Sequence, residues 1–184
     1  MFRCLTALLA VSCLAAAPAF QLRDTNGTVH TNAEWANQKA ILLFFVTTDC
    51  PVANSYVPEM NRLRDAYTAR GVAVYAVQSE VTVPDAAVAK YAKEFRYAFP
   101  LLLDPHQDLV RLANATVTPQ AAVLTPDGKV QYLGRIDNRV EDFGKQRYQA
   151  TASELREALD AVLAGKPVPH PTTKSIGCAI NRIK

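Results

Sequence analysis

The stretch Ala40-Ile41-Leu42-Leu43-Phe44-Phe45-Val46-Thr47-Thr48-Asp49-Cys50-Pro51-Val52-Ala53-Asn54 decides the architecture. An unbroken apolar run from Ala40 to Val46 leaves no polar face. It reads as a strand buried on both sides, as in the interior of a parallel sheet. Pro51 suits the first position of a helix, where its missing N–H has no partner to lose. The segment therefore predicts a strand, a short loop and a helix, with a cysteine at the joint. A thiol there faces the free N–H groups of the first turn and the positive end of the helix dipole. Both favour the thiolate, which is the nucleophilic form of cysteine. Asp49 acts in the opposite sense, because its charge disfavours a neighbouring anion.

Outward from this segment, strands and helices alternate. The helix after Cys50 runs to about Arg70, with Val57, Met60, Leu63 and Tyr67 on one face, and Gly71 ends it. Val72 to Val77 is a second buried strand. Pro84 opens a helix that turns Val88, Tyr91 and Phe95 to one side. Phe99 to Leu103 is a third strand, and His106 to Ala113 a short helix burying Leu109 and Leu112. Ala121–Leu124 and Lys129–Leu133 flank Pro126-Asp127-Gly128 and form a hairpin. Upstream, Asn26-Gly27 marks another. Thr151 with Glu154 makes a capping box for a helix that buries Leu155, Leu159 and Val162 and stops at Gly165. Residues 165–184 carry Pro167, Pro169, Pro171 and Cys178 without a period, and are expected to be irregular. The order predicts one α/β domain over residues 20–184, with a mixed central sheet flanked by helices on both faces.

Composition narrows the function. The chain has 184 residues, and about half are apolar, enough for a real core without metal or many disulfides. A net charge of +3 is too small for a nucleic-acid footprint. No stretch reaches the roughly 18 apolar residues of a membrane span. Residues 1–19 instead read as a signal peptide: Arg3, an apolar stretch from Leu5 to Ala17, and small residues at Ala17 and Ala19 before cleavage. A lipoprotein reading that retains Cys13 competes with it. Export removes Cys4 and Cys13, leaves Cys50 and Cys178, and predicts a periplasmic or secreted protein in a compartment where disulfides persist.

Phe45 to Asn54, with the elements around it, resembles the thioredoxin-fold redoxins, which include the thioredoxin-like oxidoreductases and the alkyl hydroperoxide reductase/thiol-specific antioxidant group. It is most similar to secreted bacterial redoxin-domain proteins carrying an Asp-Cys-Pro-x-x-Asn site, a Gly-Arg-Ile-Asp segment and a late Gly-Cys-x-Ile. Here these are Asp49–Asn54, Gly134–Asp137 and Gly177–Ile180. The resemblance implies a thioredoxin-like fold and a thiol oxidoreductase with antioxidant or redox-homeostasis activity. It also implies that Pro58 kinks the first helix and that Thr118-Pro119 is cis and faces the cysteine. An X–Pro bond is cis only about one time in twenty, so the resemblance and not the dipeptide sets that expectation.

Departures from the pattern matter as well. Thioredoxins carry a second cysteine where this chain has Ala53, so no local disulfide forms. Peroxiredoxins carry a proline where this chain has Leu43, but Thr47 keeps the threonine that holds a peroxide oxygen. The resemblance also asks for an arginine to polarise peroxide. Arg135, Arg139 and Arg147 are available, with Arg135 in the Gly-Arg-Ile-Asp segment.

The expected site is therefore Cys50, Cys178, Thr47, Pro119 and Arg135. Cys50 is the nucleophile in thiol–disulfide exchange or peroxide reduction. Cys178 resolves the mixed disulfide or sulfenic acid, provided its Cα comes within about 7 Å. No organic cofactor or metal is called for, because the thiols carry the electrons. The partners are a disulfide or peroxide substrate and a redox protein or small thiol as donor. Two other readings compete. One is a structural Cys50–Cys178 disulfide, worth about 4–5 kcal/mol in the chain-entropy model. The other is a copper-binding or scaffold module using Cys50 with His30, His106 or His170.

Overall fold

The computed structural model describes residues 18–183. The expected signal peptide, with Cys4 and Cys13, lies outside the described residues apart from its last two positions. An N-terminal hairpin pairs β1 (Gln21–Arg23) with β2 (Val29–Thr31). Next come β3 (Ala40–Val46), α1 (Pro51–Thr68), β4 (Val72–Gln78), α2 (Asp85–Glu94), β5 (Leu101–Leu103) and α3 (Asp108–Ala113). A second half adds β6 (Val117–Thr118), β7 (Gln120–Leu124), β8 (Val130–Gly134), a small hairpin of β9 (Val140–Asp142) and β10 (Lys145–Gln146), α4 (Glu154–Leu163) and β11 (Cys178–Ala179).

The central sheet has five strands in the order β5-β4-β3-β7-β8. The β3–β4 and β4–β5 pairs are parallel, and the β3–β7 and β7–β8 pairs antiparallel. β3 sits in the middle, and all its residues are buried, as its composition requires. Its alternation divides the core. Leu42, Phe44 and Val46 pack with Met60 and Leu63 of α1, Val88 and Tyr91 of α2, and Leu155 and Leu159 of α4. Ile41, Leu43 and Phe45 pack on the opposite face with Trp35 and with Leu109 and Val110 of α3. A mixed sheet covered on both faces is the architecture expected, and the parallel half brings the ends of β3 and β4 to one edge of the molecule.

The structure differs from the sequence reading at several element ends. Pro84 is the residue before α2, not its first helical residue. α3 begins at Asp108 instead of His106, because Gln107 adopts a left-handed conformation (φ 52°). The buried Asp104 carboxylate accepts the N–H groups of Asp108, Leu109 and Val110 at 2.7–3.1 Å. Burial raises its pKa, against the pull of those bonds. The capping box at Thr151 does not form. Ser153 precedes α4 without a side-chain cap, and Glu154 turns to Arg135. Asn138 takes the place of the box by accepting from the backbone N–H groups of Thr151 and Ala152.

The segment expected to be irregular is tied down. Leu133 N–H donates to Pro171 O at 2.9 Å, β11 pairs antiparallel with β6, and Ile180 N–H donates to Thr116 O at 2.9 Å. Buried Gln107 donates to Ser79 O and Asn181 O and accepts from Ile183 N–H. The tail thus runs along the edge strand β8 and across the end of the sheet.

Phe44 is fully buried against Phe99, with ring centroids 5.9 Å apart. Phe44→Ala is expected to lower the unfolding free energy by about 3–5 kcal/mol in a urea titration. A loss below about 1 kcal/mol would contradict this account of the core.

Candidate active site

Cys50 is the residue immediately before α1, in extended conformation (φ −90°, ψ 104°), and its carbonyl accepts the Asn54 N–H at 3.0 Å. The buried strand β3 ends at Val46, four residues earlier, so the loop is anchored on one side by sheet and on the other by helix. The Cys50 thiol is wholly buried and donates to Thr118 O at 3.0 Å. Thr118–Pro119 is cis, as the resemblance implied.

Cys178 arrives from the far end of the chain. It is the antiparallel register partner of Thr118 in the β6–β11 pair, and the Thr118 hydroxyl donates to Cys178 O at 3.5 Å. Thr118 therefore touches both cysteines, through its carbonyl on one side and its strand pairing on the other. Both cysteines are free thiols, brought to one place by their shared neighbour Thr118. Burial raises the Cys178 pKa well above the usual thiol range, reinforced by its hydrogen bond to Cys50 and by the charges of Cys50 and Asp49. Cys178 thus holds its proton at neutral pH.

Gly177 makes this docking sterically feasible. A Cβ at that position falls 2.0 Å from Thr118 O and 3.2 Å from Pro119 Cδ, so any side chain there collides with backbone. The Gly-Cys pair in the tail therefore has a packing reason, which the sequence displayed but did not explain.

The other expected residues are placed less directly. Thr47 is buried, but its hydroxyl donates to Asp49 Oδ1 at 2.9 Å. Arg135 points along β8 to α4, where Glu154 holds its guanidinium through two bonds, Nε at 3.1 Å being one of them. Glu154 is lowered by that bond to Arg135. Arg147 pairs with Glu141. Of the three arginines, Arg139 comes nearest to the first turns of α1. Its guanidinium lies 4.3 Å from the centroid of the Tyr56 ring, and Nη2 donates to Ser55 O at 3.3 Å.

The Gly-Arg-Ile-Asp segment acts as a brace. Gly134 packs against Thr173 and Tyr132, and Ile136 is buried. Asp137 accepts from Tyr56 OH at 2.7 Å and from Arg139 N–H at 2.8 Å. His30 is buried between Glu34 (3.0 Å) and Asp24 (3.5 Å), in the N-terminal hairpin region. Among the described residues, no group of three His, Cys, Asp or Glu side chains is placed to hold a metal.

Sequence reading missed a tyrosine pair. Asn54 Oδ1 accepts from Tyr91 OH at 2.9 Å, and Tyr91 OH lies 3.0 Å from Tyr97 OH. Burial pushes the Tyr91 hydroxyl up to about 12 and raises the Tyr97 hydroxyl well above the usual phenol range, with the Cys50 charge adding to both. Helical periodicity marked Tyr91 as a core residue, but periodicity does not report where a hydroxyl goes.

Two outcomes follow from this geometry. Gly177→Ala is expected to lift β11 from β6 and raise the rate of Cys50 alkylation by on the order of tenfold or more, measured by mass mapping. An unchanged rate contradicts the shielding role of the tail. The raised Cys178 pKa favours the docked tail while the thiol is protonated. That stabilisation is complete below the ordinary thiol pKa of about 8.5, and it is lost as pH rises through the higher folded value. Cys178 alkylation by iodoacetamide should therefore reach half its limiting rate at least about one pH unit above a free cysteine. Coincident profiles would refute it.

A family model described as the AhpC/TSA family matches residues 14–133. Thiol-disulfide oxidoreductase ResA of Geobacillus kaustophilus (strain HTA426) is 29% identical over 124 residues, which is 67% of this chain and 70% of that protein. The crystal structure of a hypothetical protein from Sinorhizobium meliloti 1021 superposes with a TM-score of 0.78 at 28% identity, covering 95% of this chain and 97% of that one. The thioredoxin domain of a thiol-disulfide oxidoreductase from Bacteroides vulgatus superposes with a TM-score of 0.53 over 67% of this chain and 86% of that one. At 19% identity, it shows the thioredoxin-like fold alone. The family match covers more than half of the sequence and takes in the Cys50 loop, the cis-proline turn, four strands of the central sheet and all but the last residue of the fifth, so the chain belongs to the AhpC/TSA family.

Proposed function

We propose that this protein is an exported thiol–disulfide oxidoreductase in which Cys50 is the nucleophile and Cys178 the resolving thiol. The observation that carries the reading is the convergence of the two cysteines on Thr118, with Cys50 at the start of α1 and the Cys178 thiol held protonated. Reaction requires a thiolate, and the free N–H groups of the first helical turn face a negative charge on Cys50. Cys50 Sγ attacks one sulphur of a substrate disulfide, forming a mixed disulfide and releasing the first substrate thiolate. Cys178 then gives up its proton and attacks Cys50 Sγ. The second substrate thiol leaves, and the Cys50–Cys178 bridge holds the two electron equivalents of oxidation. Cys50 is 0% exposed beneath the tail, so β11 lifts from β6 when a protein disulfide docks.

Two contacts favour a disulfide over a peroxide as the oxidant. The Thr47 hydroxyl is committed to Asp49, and the Arg135 guanidinium to Glu154. In this reading Arg135 is a brace for α4 and the tail, and Thr47 positions Asp49. Export rests on the residue pattern at positions 1–19 and on the redox chemistry, which needs a compartment where disulfides persist. The donor that reduces the bridge is a thiol protein or a small thiol.

The test is single-turnover oxidation of the reduced protein, by a peptide disulfide and by hydrogen peroxide in parallel. Cys50→Ser should abolish reaction with both. Cys178→Ser should trap a mixed disulfide with the peptide on Cys50. The peptide disulfide is expected to form the Cys50–Cys178 bridge, and peroxide to consume the Cys50 thiol no faster than a free cysteine. Rapid peroxide consumption at Cys50 reassigns the oxidant. Turnover that survives Cys50→Ser overturns the nucleophile.

A further inference from the structure

The two sulphurs of the proposed bridge are not equally accessible. Cys50 is wholly buried, whereas Cys178 is only partly so and lines a cavity of about 100 Å³ with Thr47, Asp49, Ser79, Glu80 and Asn181. Cys50 does not line it. A thiol arriving from solvent through this cavity therefore meets Cys178 first.

The cavity carries two carboxylates. Asp49 accepts from the Thr47 hydroxyl, and Glu80 from the Asn181 amide at 2.8 Å and from Thr82. None of these partners is charged. Among the described residues no Lys, Arg or His lies within ion-pair distance of either carboxylate. The Asn181 bond lowers the Glu80 pKa, so it stays ionised at neutral pH. The charge on Asp49 is felt at Cys178, where it helps to hold the proton. Two uncompensated negative charges thus flank the only redox sulphur that borders this cavity. Asn181 also ties Glu80 to the tail, so the acidic wall is assembled when β11 docks.

Resting on the exchange reading above, we propose that the reducing partner attacks the bridge at Cys178 Sγ from this cavity, and that Asp49 and Glu80 select cationic and neutral thiols over anionic ones. The incoming thiolate forms a bond to Cys178 Sγ, the Cys178–Cys50 bond breaks, and the electron pair passes to Cys50 Sγ at the start of α1. A second thiolate attacks the external sulphur of the mixed disulfide. Cys178 is released and takes up a proton, and the two donor thiols leave as their disulfide. Every attacking thiolate brings one negative charge toward the two carboxylates. An ammonium on the same molecule cancels it, and a sulfonate doubles it. Repulsion between charges in a partly desolvated site is large enough to separate such donors by on the order of tenfold. The donor class this favours is a cysteine flanked by Lys or Arg in a protein, and it disfavours small anionic thiols.

The experiment reduces the oxidised protein with cysteamine, 2-mercaptoethanol and 2-mercaptoethanesulfonate, which share one skeleton and differ in charge. Rates are expressed per thiolate at fixed ionic strength and divided by those for hydroxyethyl disulfide, which removes intrinsic reactivity. Cysteamine is expected to exceed the sulfonate by on the order of tenfold, with the neutral thiol between. In Asp49→Asn/Glu80→Gln the spread should shrink to about twofold, as it should in high salt. Acid-quenched intermediates should carry the small thiol on Cys178. Equal or reversed normalised rates, a spread untouched by the double substitution, or an adduct on Cys50 overturns the proposal. Failure of all three thiols to reduce the bridge would overturn the exchange reading instead, so the two failures are distinguishable.

Discussion

The carbonyl oxygen of Thr118 is the point on which the site depends. It accepts the Cys50 thiol, and the same residue is the register partner of Cys178. A backbone acceptor held in a two-strand pair cannot move toward one cysteine without disturbing the other. The approach of the tail is so close that only glycine fits at position 177. The chemistry proposed for the pair thus depends on backbone pairing between two segments 60 residues apart in sequence.

The tail is held by many small contacts, and its apolar residues Ile176 and Ile180 are only partly buried against the core. Gln107 clamps it at Asn181 and Ile183, Glu80 accepts from Asn181, and Arg182 reaches Ala115 O at 2.7 Å. Each such bond contributes about 1 kcal/mol net, and the tail residues that make them, Asn181, Arg182 and Ile183, are exposed. An element with this profile opens more readily than the core strands. That suits the proposed role of β11, which covers a thiol at rest and uncovers it for a substrate. The brace at Gly134–Asp137 has the opposite character, with Ile136 and Asp137 buried and Gly134 pressed against Thr173.

The sheet and the site were legible to different degrees for a physical reason. β3 announced itself because a strand buried on both faces needs an unbroken apolar run. α1 did so because its apolar residues recur at helical spacing and Pro51 sits at its start. The Asn26-Gly27 and Pro126-Asp127-Gly128 turns were readable because each carries a residue suited to a positive φ. The ends of α3 and α4 were misread because the side chains that settle them come from elsewhere. Asp104 caps α3 from four residues before its start, and Arg135 draws Glu154 out of the expected capping box. The tail showed no period because its partners lie in β6, in β8 and in the residues flanking α3, not within itself.

By itself, then, the sequence determined the fold class and the strand–cysteine–helix joint, because periodicity and turn chemistry act between near neighbours. Only the tertiary structure decided that Thr118 brings Cys178 and Cys50 together, and that Arg135 and Thr47 have other partners. It also decided that Asp49 and Glu80 share one cavity. Those facts depend on where distant segments dock, and docking is set by steric fit and backbone hydrogen bonding that leave little periodic trace along the chain.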